Sequence, residues 1–254
     1  MIPYRKAPEF VDAAQCPQAG RERMVMPQPV ANFHRDGQVD PEPALLKRMR
    51  EEGAVFMMGQ NPSLPVLPEK PTLLDFFHYR LCDIAFRHLL QSAKAALDAG
   101  QSETVIMACL LHDISNGALL RSDHGYWGAQ MVAPYVSEEV AWAIKYHQAL
   151  RYFADESVGF KYPDAYNQFF GPDYEPPEYL QQAHRDARAH KWYMTSRLIT
   201  IYDIYSFDDN RHVDPAMFTD LIGRHWKQPE EGLGFDNSPV AHMWRTMIWP
   251  NNFL

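Results

Sequence analysis

The segment ACLLHDISNGALL, residues 108–120, places His112 and Asp113 side by side directly after a run of apolar residues. A soluble protein rarely buries two ionisable groups beside an apolar run without giving them partners. Two interpretations follow. The pair is either a polar helix end that reaches solvent, or an imidazole and a carboxylate that bind a metal ion as adjacent ligands.

Residues of the same chemical types recur on the other helices that the sequence predicts: His88, His124, His147 and Asp203. Asp203 lies within LITIYDIYSF, where a carboxylate surrounded by isoleucine and tyrosine needs a compensating cation if it is buried. Taken singly, such a residue is more often a packed or surface residue than a ligand, and the other histidines are interpreted so. Four histidines and two aspartates in order on successive helices instead predict a shared metal site.

Imidazole and carboxylate ligands without a thiolate fit iron, manganese or zinc. Asp113 is the predicted bridge between two ions, because a carboxylate has two oxygens to share, and Asp113 and His112 are the candidate catalytic residues. A pair of ions can activate water or bind dioxygen, and can hold an anionic substrate. The first ion is assigned to His88, His112, Asp113 and Asp203, and the second to Asp113, His124 and His147.

The elements that must position these residues are predicted to be helices, at residues 44–52, 83–98, 103–114, 124–133, 137–150, 178–190, 191–206 and 215–226. Gly100 is expected to end one helix and Ser102 to cap the next. Residues 155–177 are predicted to form a long loop, and Trp127 and Trp142 to be core residues. No alternating strand pattern is found, so the predicted fold class is all-α.

Eleven of the twenty prolines lie in the first 71 residues, which predicts an irregular proline-rich N-terminal extension over 1–71 and a metal-binding helical domain over 72–254. No stretch approaches the roughly 20 apolar residues of a membrane helix, so no membrane partner is expected. The formal charge of −8 disfavours nucleic-acid binding. Three widely spaced cysteines and an N-terminus without a secretion signal predict a cytoplasmic protein, with a homo-oligomer left open.

The order His, His-Asp, His, His, Asp resembles the HD-domain superfamily of metal-dependent all-α enzymes. The resemblance covers residues 73–207 and includes FRHLLQSAKAALDAG, MACLLHDIS and DHGYWGAQMVAPYVSEEVAWAIKYH. It implies an HD-domain helical bundle in which the six residues named above hold two metal ions.

Two chemistries share this ligand set in the superfamily. Many members are phosphohydrolases, whereas a branch that includes myo-inositol oxygenase and a phosphonate-cleaving oxygenase holds a mixed-valent Fe(II)/Fe(III) pair and uses O₂ to break a substrate C–H bond. The long interval between His147 and Asp203 and the segment YHQALRYF are similar to the phosphonate oxygenase, and IYDIYSF is similar to inositol oxygenase. The resemblance therefore implies a diiron oxygenase that acts on a small polar substrate.

The substrate side of the site departs from that branch. Asn116 stands where the phosphonate oxygenase has a second histidine, and HYRLCD replaces its tyrosine-containing segment, close to which His78 falls. Arg151 lies four residues after His147 and is predicted either to bind an anionic, phosphonate-like group or to form an ordinary surface ion pair. Asn116 and Arg151 are the candidate substrate-binding residues. Lys145 is expected at the surface, and the aromatic residues Tyr162, Tyr166, Phe169 and Phe170 are predicted to form either a lid or simple packing.

Three hypotheses remain at this point. The favoured one is an HD-domain diiron oxygenase with two iron ions, O₂ and a small-molecule substrate. The second is a metal-dependent phosphohydrolase that acts on a nucleotide or small phosphate ester with manganese or another divalent metal. The third is a metal-stabilised binding or regulatory protein without catalysis, which the complete ligand set argues against.

Overall fold

The computed structural model describes residues 65, 67–81, 83–118, 123–171, 173–204, 206–208 and 210–248. These residues form helices, and among them no β-strand occurs beyond an isolated bridge between Asp155 and Phe160. The predicted all-α class is confirmed. The predicted helix at 44–52 and most of the N-terminal extension lie outside the described residues. No helix in the described ranges is long and apolar enough to span a membrane.

The helices follow one another as α1 (Leu73–Arg80), α2 (Asp83–Asp98), α3 (Glu103–Leu111), α4 (Ile114–Ala118), α5 (His124–Val132), α6 (Glu138–Leu150), α7 (Asp164–Phe170), α8 (Glu178–Arg188), α9 (Tyr193–Asp203), α10 (Thr219–His225) and α11 (Ala241–Ile248). Short 3₁₀ turns lie at Glu156–Val158 and Pro215–Phe218. The chain divides into two compact units. The first holds α2 to α10, and the second holds the described residues up to Leu81 together with those from Pro229 onward.

Helix α3 is the centre of the first unit. Every residue from Val105 to Leu111 is buried, which is expected of a helix that is apolar on all sides. Helices α2, α6 and α9 pack around α3, and α5 packs on α6. Gly100 has a φ of 68°, and the Ser102 side chain accepts a hydrogen bond from the Val105 N–H, so both predicted helix ends are confirmed. Because α3 is buried, His112 and Asp113, which follow its C-terminal end, also lie in the interior of the first unit.

The structure corrects the sequence-based boundaries in two places. The helix predicted over 103–114 ends at Leu111, and α4 begins only at Ile114, so His112 and Asp113 lie in a turn between two helices. The loop predicted over 155–177 contains the turn Glu156–Val158 and helix α7. Helix α7 lies between Pro163 and Gly171, where Gly171 has a φ of 88°. These two residues are turn formers that also serve as helix boundaries, which is why the segment was predicted as loop.

The second unit contains two helices that were not predicted, α1 and α11. Thr72 and Asp75 form a capping box at the start of α1, and Phe76 packs edge-on against Trp244 of α11 with ring centroids 4.7 Å apart. Arg80, which is 2% exposed, donates hydrogen bonds to the carbonyl oxygens of Met247 and Ile248. Arg80 of α1 therefore caps the C-terminal end of α11.

Candidate metal centre

The six residues that the sequence singled out converge in the first unit. His112 and Asp113 lie at the end of α3, and His112 is fully buried, so the interpretation of a solvent-exposed helix end is wrong. His88 is on α2, His124 is the first residue of α5, His147 is near the end of α6, and Asp203 is the last residue of α9. None of the six is more than 7% exposed.

One group of these side chains lies around His88. The His88 Nε2 atom is 3.2 Å from His112 Nε2 and 3.1 Å from Asp203 Oδ1. His112 Nε2 is 3.7 Å from the same Asp203 oxygen. These contacts bring together the ligands that the sequence assigned to the first ion, with Asp113 Oδ2 at 3.8 Å from His88 Nε2.

A second group lies around His147. Its Nε2 atom is 3.2 Å from His124 Nε2 and 3.6 Å from Asp113 Oδ1. His124 Nε2 is 3.1 Å from that Asp113 oxygen. Asp113 therefore turns one carboxylate oxygen toward His88 and the other toward the pair His124 and His147, which is the arrangement of a carboxylate shared by two ions.

The protonation of three of the imidazoles follows from their backbone partners. The Nδ1 atom lies 2.7 Å from the Cys109 carbonyl oxygen in His112, 2.6 Å from that of Ile144 in His147, and 3.0 Å from that of Ser206 in His88. Because a carbonyl oxygen only accepts, Nδ1 must donate in each case, and the neutral ring then carries its lone pair on Nε2. Lone pairs pointing at one another across 3.2 Å repel unless a cation lies between them.

The carboxylates give the same indication. Asp113 Oδ1 and both carboxylate oxygens of Asp203 are buried and accept no hydrogen bond, although Asp203 Oδ2 lies 3.2 Å from the Arg151 guanidinium. Buried polar atoms of this kind are costly and rare, and a bound cation would satisfy them. The only thiol buried among the described residues is Cys109, whose pKa burial raises to about 12, so no thiolate competes at neutral pH. The donor set thus fits a pair of nitrogen- and oxygen-bound ions such as iron or manganese.

For Asp203 and His147, the surroundings favour the protonation states that bind metal. Burial alone would raise the pKa of Asp203, but the charge of the neighbouring Arg151 guanidinium, together with the imidazoles of His112 and His88, holds that pKa well below its usual range. Burial lowers the pKa of His147 to about 4, so its imidazole is neutral at physiological pH. A neutral imidazole and an ionised carboxylate are the species that coordinate metal.

The predicted substrate-binding residues lie at the edge of this centre. Asn116 Nδ2 donates to Asp113 Oδ2 at 3.1 Å. Arg151 Nε is 3.2 Å from Asp203 Oδ2, and its guanidinium lies over the Tyr166 ring at 5.4 Å from the centroid. The Arg151 side chain is only 17% exposed and pairs with the candidate ligand Asp203, so it does not form an ordinary surface ion pair.

Aromatic residues of the predicted lid form a packed cluster next to Arg151. Tyr166 contacts Tyr152, Tyr162 and Phe170 with ring centroids 5.6–5.7 Å apart. Tyr166 also lies against Arg151, so these aromatic residues pack together, and their role as a lid stays a prediction. The side chain of Phe169 lies outside the described part of the chain.

Four other residues named in the sequence analysis, Lys145, Trp127, Trp142 and His78, are not among the six candidate ligands. Lys145 is exposed, as predicted. Trp127 and Trp142 are only half-buried, so the prediction that they are core residues is wrong. Trp142 instead stacks on His190 with ring centroids 4.2 Å apart. His78, which the sequence did not assign to the centre, lies in α1, in the second unit.

Two contributors were missed by the sequence reasoning. Gly125 follows His124, and a Cβ atom there would lie 3.0 Å from the backbone oxygens of Ile144 and Lys145, so only glycine lets α5 approach α6 this closely. Phe207 stacks on the His88 ring with centroids 4.1 Å apart and planes at 10°. The sequence signal for Gly125 was a glycine beside a candidate ligand. No sequence signal marked Phe207.

Comparison with known proteins agrees with this geometry. The family model described as HD domain matches residues 85–177. That range includes His88, the His112–Asp113 pair, His124 and His147, while Asp203 lies beyond it. A search of curated proteins finds no match to the chain. An HD domain is therefore present, and proteins with this domain are generally metal-dependent enzymes.

Proposed function

We propose that this chain is an HD-domain diiron oxygenase that uses O₂ to oxidise a C–H bond of a small polar substrate carrying an anionic, phosphonate-like group. The observation that carries the proposal is the pair of buried ligand groups that share Asp113, because a carboxylate placed between two ligand groups can bridge two ions. His88, His112, Asp113 and Asp203 would hold one iron ion, and Asp113, His124 and His147 the other.

When bound, a mixed-valent iron pair supplies the redox chemistry that O₂ activation requires. The chain's own residues supply the surroundings. The backbone carbonyls of Cys109, Ile144 and Ser206 fix the imidazole tautomers, and Asn116 orients the shared carboxylate by its hydrogen bond. The aromatic cluster beside Arg151 would limit the access of water to the centre, which an oxygenase needs more than a hydrolase does.

The test of the proposal is the metal content and the electron paramagnetic resonance spectrum of protein purified without air and then partly oxidised. Two irons per chain with a coupled mixed-valent signal would support the oxygenase. Redox-silent ions, together with hydrolysis of a generic phosphate ester, would replace it with the phosphohydrolase. A protein that binds metal but shows neither activity would favour a regulatory role.

Arg151 is expected to bind the anionic group of the substrate. The Arg151→Ala variant should bind methylphosphonate at least about tenfold more weakly, because charge-assisted hydrogen bonds contribute about 1.5–3 kcal/mol. Calorimetric titration of the iron-loaded protein measures the change. Lys145→Ala, on the exposed face of the same helix, is the matched control. An unchanged dissociation constant in Arg151→Ala, at unchanged iron content, would remove Arg151 from the substrate site.

A further inference from the structure

The His88 imidazole differs from its two counterparts in how its tautomer is fixed. The Nδ1 atoms of His112 and His147 each bond to a carbonyl three residues earlier, so their own helices supply the partner. The partner of His88 is the carbonyl of Ser206, which is 118 residues away in sequence. The orientation of His88 therefore depends on whatever holds the chain in place after α9.

The post-α9 segment, residues 206–208 with 210 and 211, contacts His88 in two ways. The Ser206 carbonyl accepts the Nδ1 hydrogen bond at 3.0 Å, and the Phe207 ring stacks on the imidazole. Phe207 is 60% exposed, so it is not held there by burial in the core. Ser206 itself is buried and is bonded back to α9 through its N–H and its hydroxyl, so the part of the segment that still needs an anchor is the chain after Ser206.

Gln91 supplies that anchor. It is 2% exposed and lies three residues after His88 on α2, so both side chains project from neighbouring positions of one helix face. Its Nε2 atom donates to the carbonyl oxygens of Asp208 and Arg211, both at 2.7 Å, and its Oε1 atom accepts from the Asp208 N–H at 2.9 Å. Both amide hydrogens and the amide oxygen are thus used on the post-α9 segment.

We infer that Gln91 is a positioning residue for the metal centre. By fixing the post-α9 segment, it keeps the Ser206 carbonyl hydrogen-bonded to His88 Nδ1. The His88 Nε2 lone pair then stays directed at the first ion, whose proposed ligands are His88, His112, Asp113 and Asp203. The inference rests on the proposed role of His88 as a ligand. A glutamate cannot replace Gln91, because a carboxylate facing two carbonyl oxygens has no hydrogen to donate.

The first measurement is the long-range ¹H–¹⁵N correlation spectrum of the metal-free protein, with the His88 signals assigned through a His88→Gln variant. The wild-type protein is expected to carry the His88 hydrogen on Nδ1. In Gln91→Leu, which removes all three hydrogen bonds, a mixture with the Nε2-protonated form is expected. A wild-type His88 protonated on Nε2 would overturn the inference without any variant.

The second measurement is the rate at which a chelator removes iron from the loaded protein. Gln91→Leu is expected to release one of its two irons about tenfold faster than the wild type, since outer partners of metal-bound histidines are typically worth 10–100-fold in affinity. Gln101→Leu is the matched control, because the Gln101 amide bonds instead to the Tyr202 hydroxyl on α9. It should match the wild type within about twofold in both measurements.

Gln91→Glu is the second variant, should Gln91→Leu fail to fold. It keeps the side-chain length and the acceptor for Asp208 N–H but loses both donors, so the same tautomer shift and iron loss are expected. A wild-type tautomer together with a wild-type release rate in either folded variant would refute the positioning role. If the wild-type protein takes up no iron, the proposed function fails, while the tautomer spectra still decide the role of Gln91.

Discussion

Asp113→Ala is expected to abolish activity and to lower the iron content from two ions per chain to one or none. Asp113 is the residue whose oxygens face both ligand groups, Oδ1 at 3.1 Å from His124 Nε2 and Oδ2 at 3.8 Å from His88 Nε2. Its removal takes a ligand from each ion and the negative charge that separates two cations. Activity should fall by more than about 100-fold, because even outer-shell partners of metal ligands contribute 10–100-fold.

Metal analysis and thermal unfolding with and without iron measure the effect. In the wild type, iron should raise the free energy of unfolding by about 2.7 kcal/mol when its free concentration is 100 times the dissociation constant. This increment should largely disappear in Asp113→Ala. Asp186→Ala, at an exposed position of α8, should keep both the iron and the increment. If Asp113→Ala kept two ions and full activity, Asp113 would not be the shared ligand.

The sequence predicted the centre because its residues are conspicuous in their surroundings. His112 and Asp113 directly follow the most apolar of the described helices, and Asp203 interrupts another apolar stretch. A charged residue at such a position has to be compensated, and that requirement can be read without knowing the fold. All six candidates are brought together, although each lies on or beside a different helix apart from the adjacent pair.

The supporting contacts could not be predicted in the same way, because they use backbone groups and packing. The partner of His88 is the carbonyl of Ser206, and every residue has a carbonyl, so the sequence carries no mark of it. Trp142 was misassigned for a related reason. Large aromatic residues usually pack in the core, but Trp142 is only half-buried, and stacking on His190 covers one face of its ring.

The distance between His124 and His147 depends on how closely α5 approaches α6, and two glycines of α5 set that approach differently. A Cβ on Gly125 would lie 3.0 Å from the Ile144 and Lys145 backbone oxygens, which belong to the interior of α6 and cannot easily move. A Cβ on Gly128 would meet Ile144 Cγ2 at 3.5 Å, which is ordinary contact. Alanine at position 125 is therefore expected to clash with the backbone of α6, whereas alanine at position 128, one turn later, is expected to fit.

Gly125→Ala is accordingly expected to lower the free energy of unfolding by about 1–3 kcal/mol through overpacking. It should also weaken the binding of one of the two proposed iron ions about tenfold, because α5 must move away from α6 and carry His124 with it. Both alanine substitutions gain the same helix propensity, about 1 kcal/mol, so the difference between Gly125→Ala and Gly128→Ala isolates the clash. Denaturant unfolding and iron titration of the two variants measure it. Equal stability and equal iron binding in both would mean that the spacing of α5 and α6 does not control the second ion.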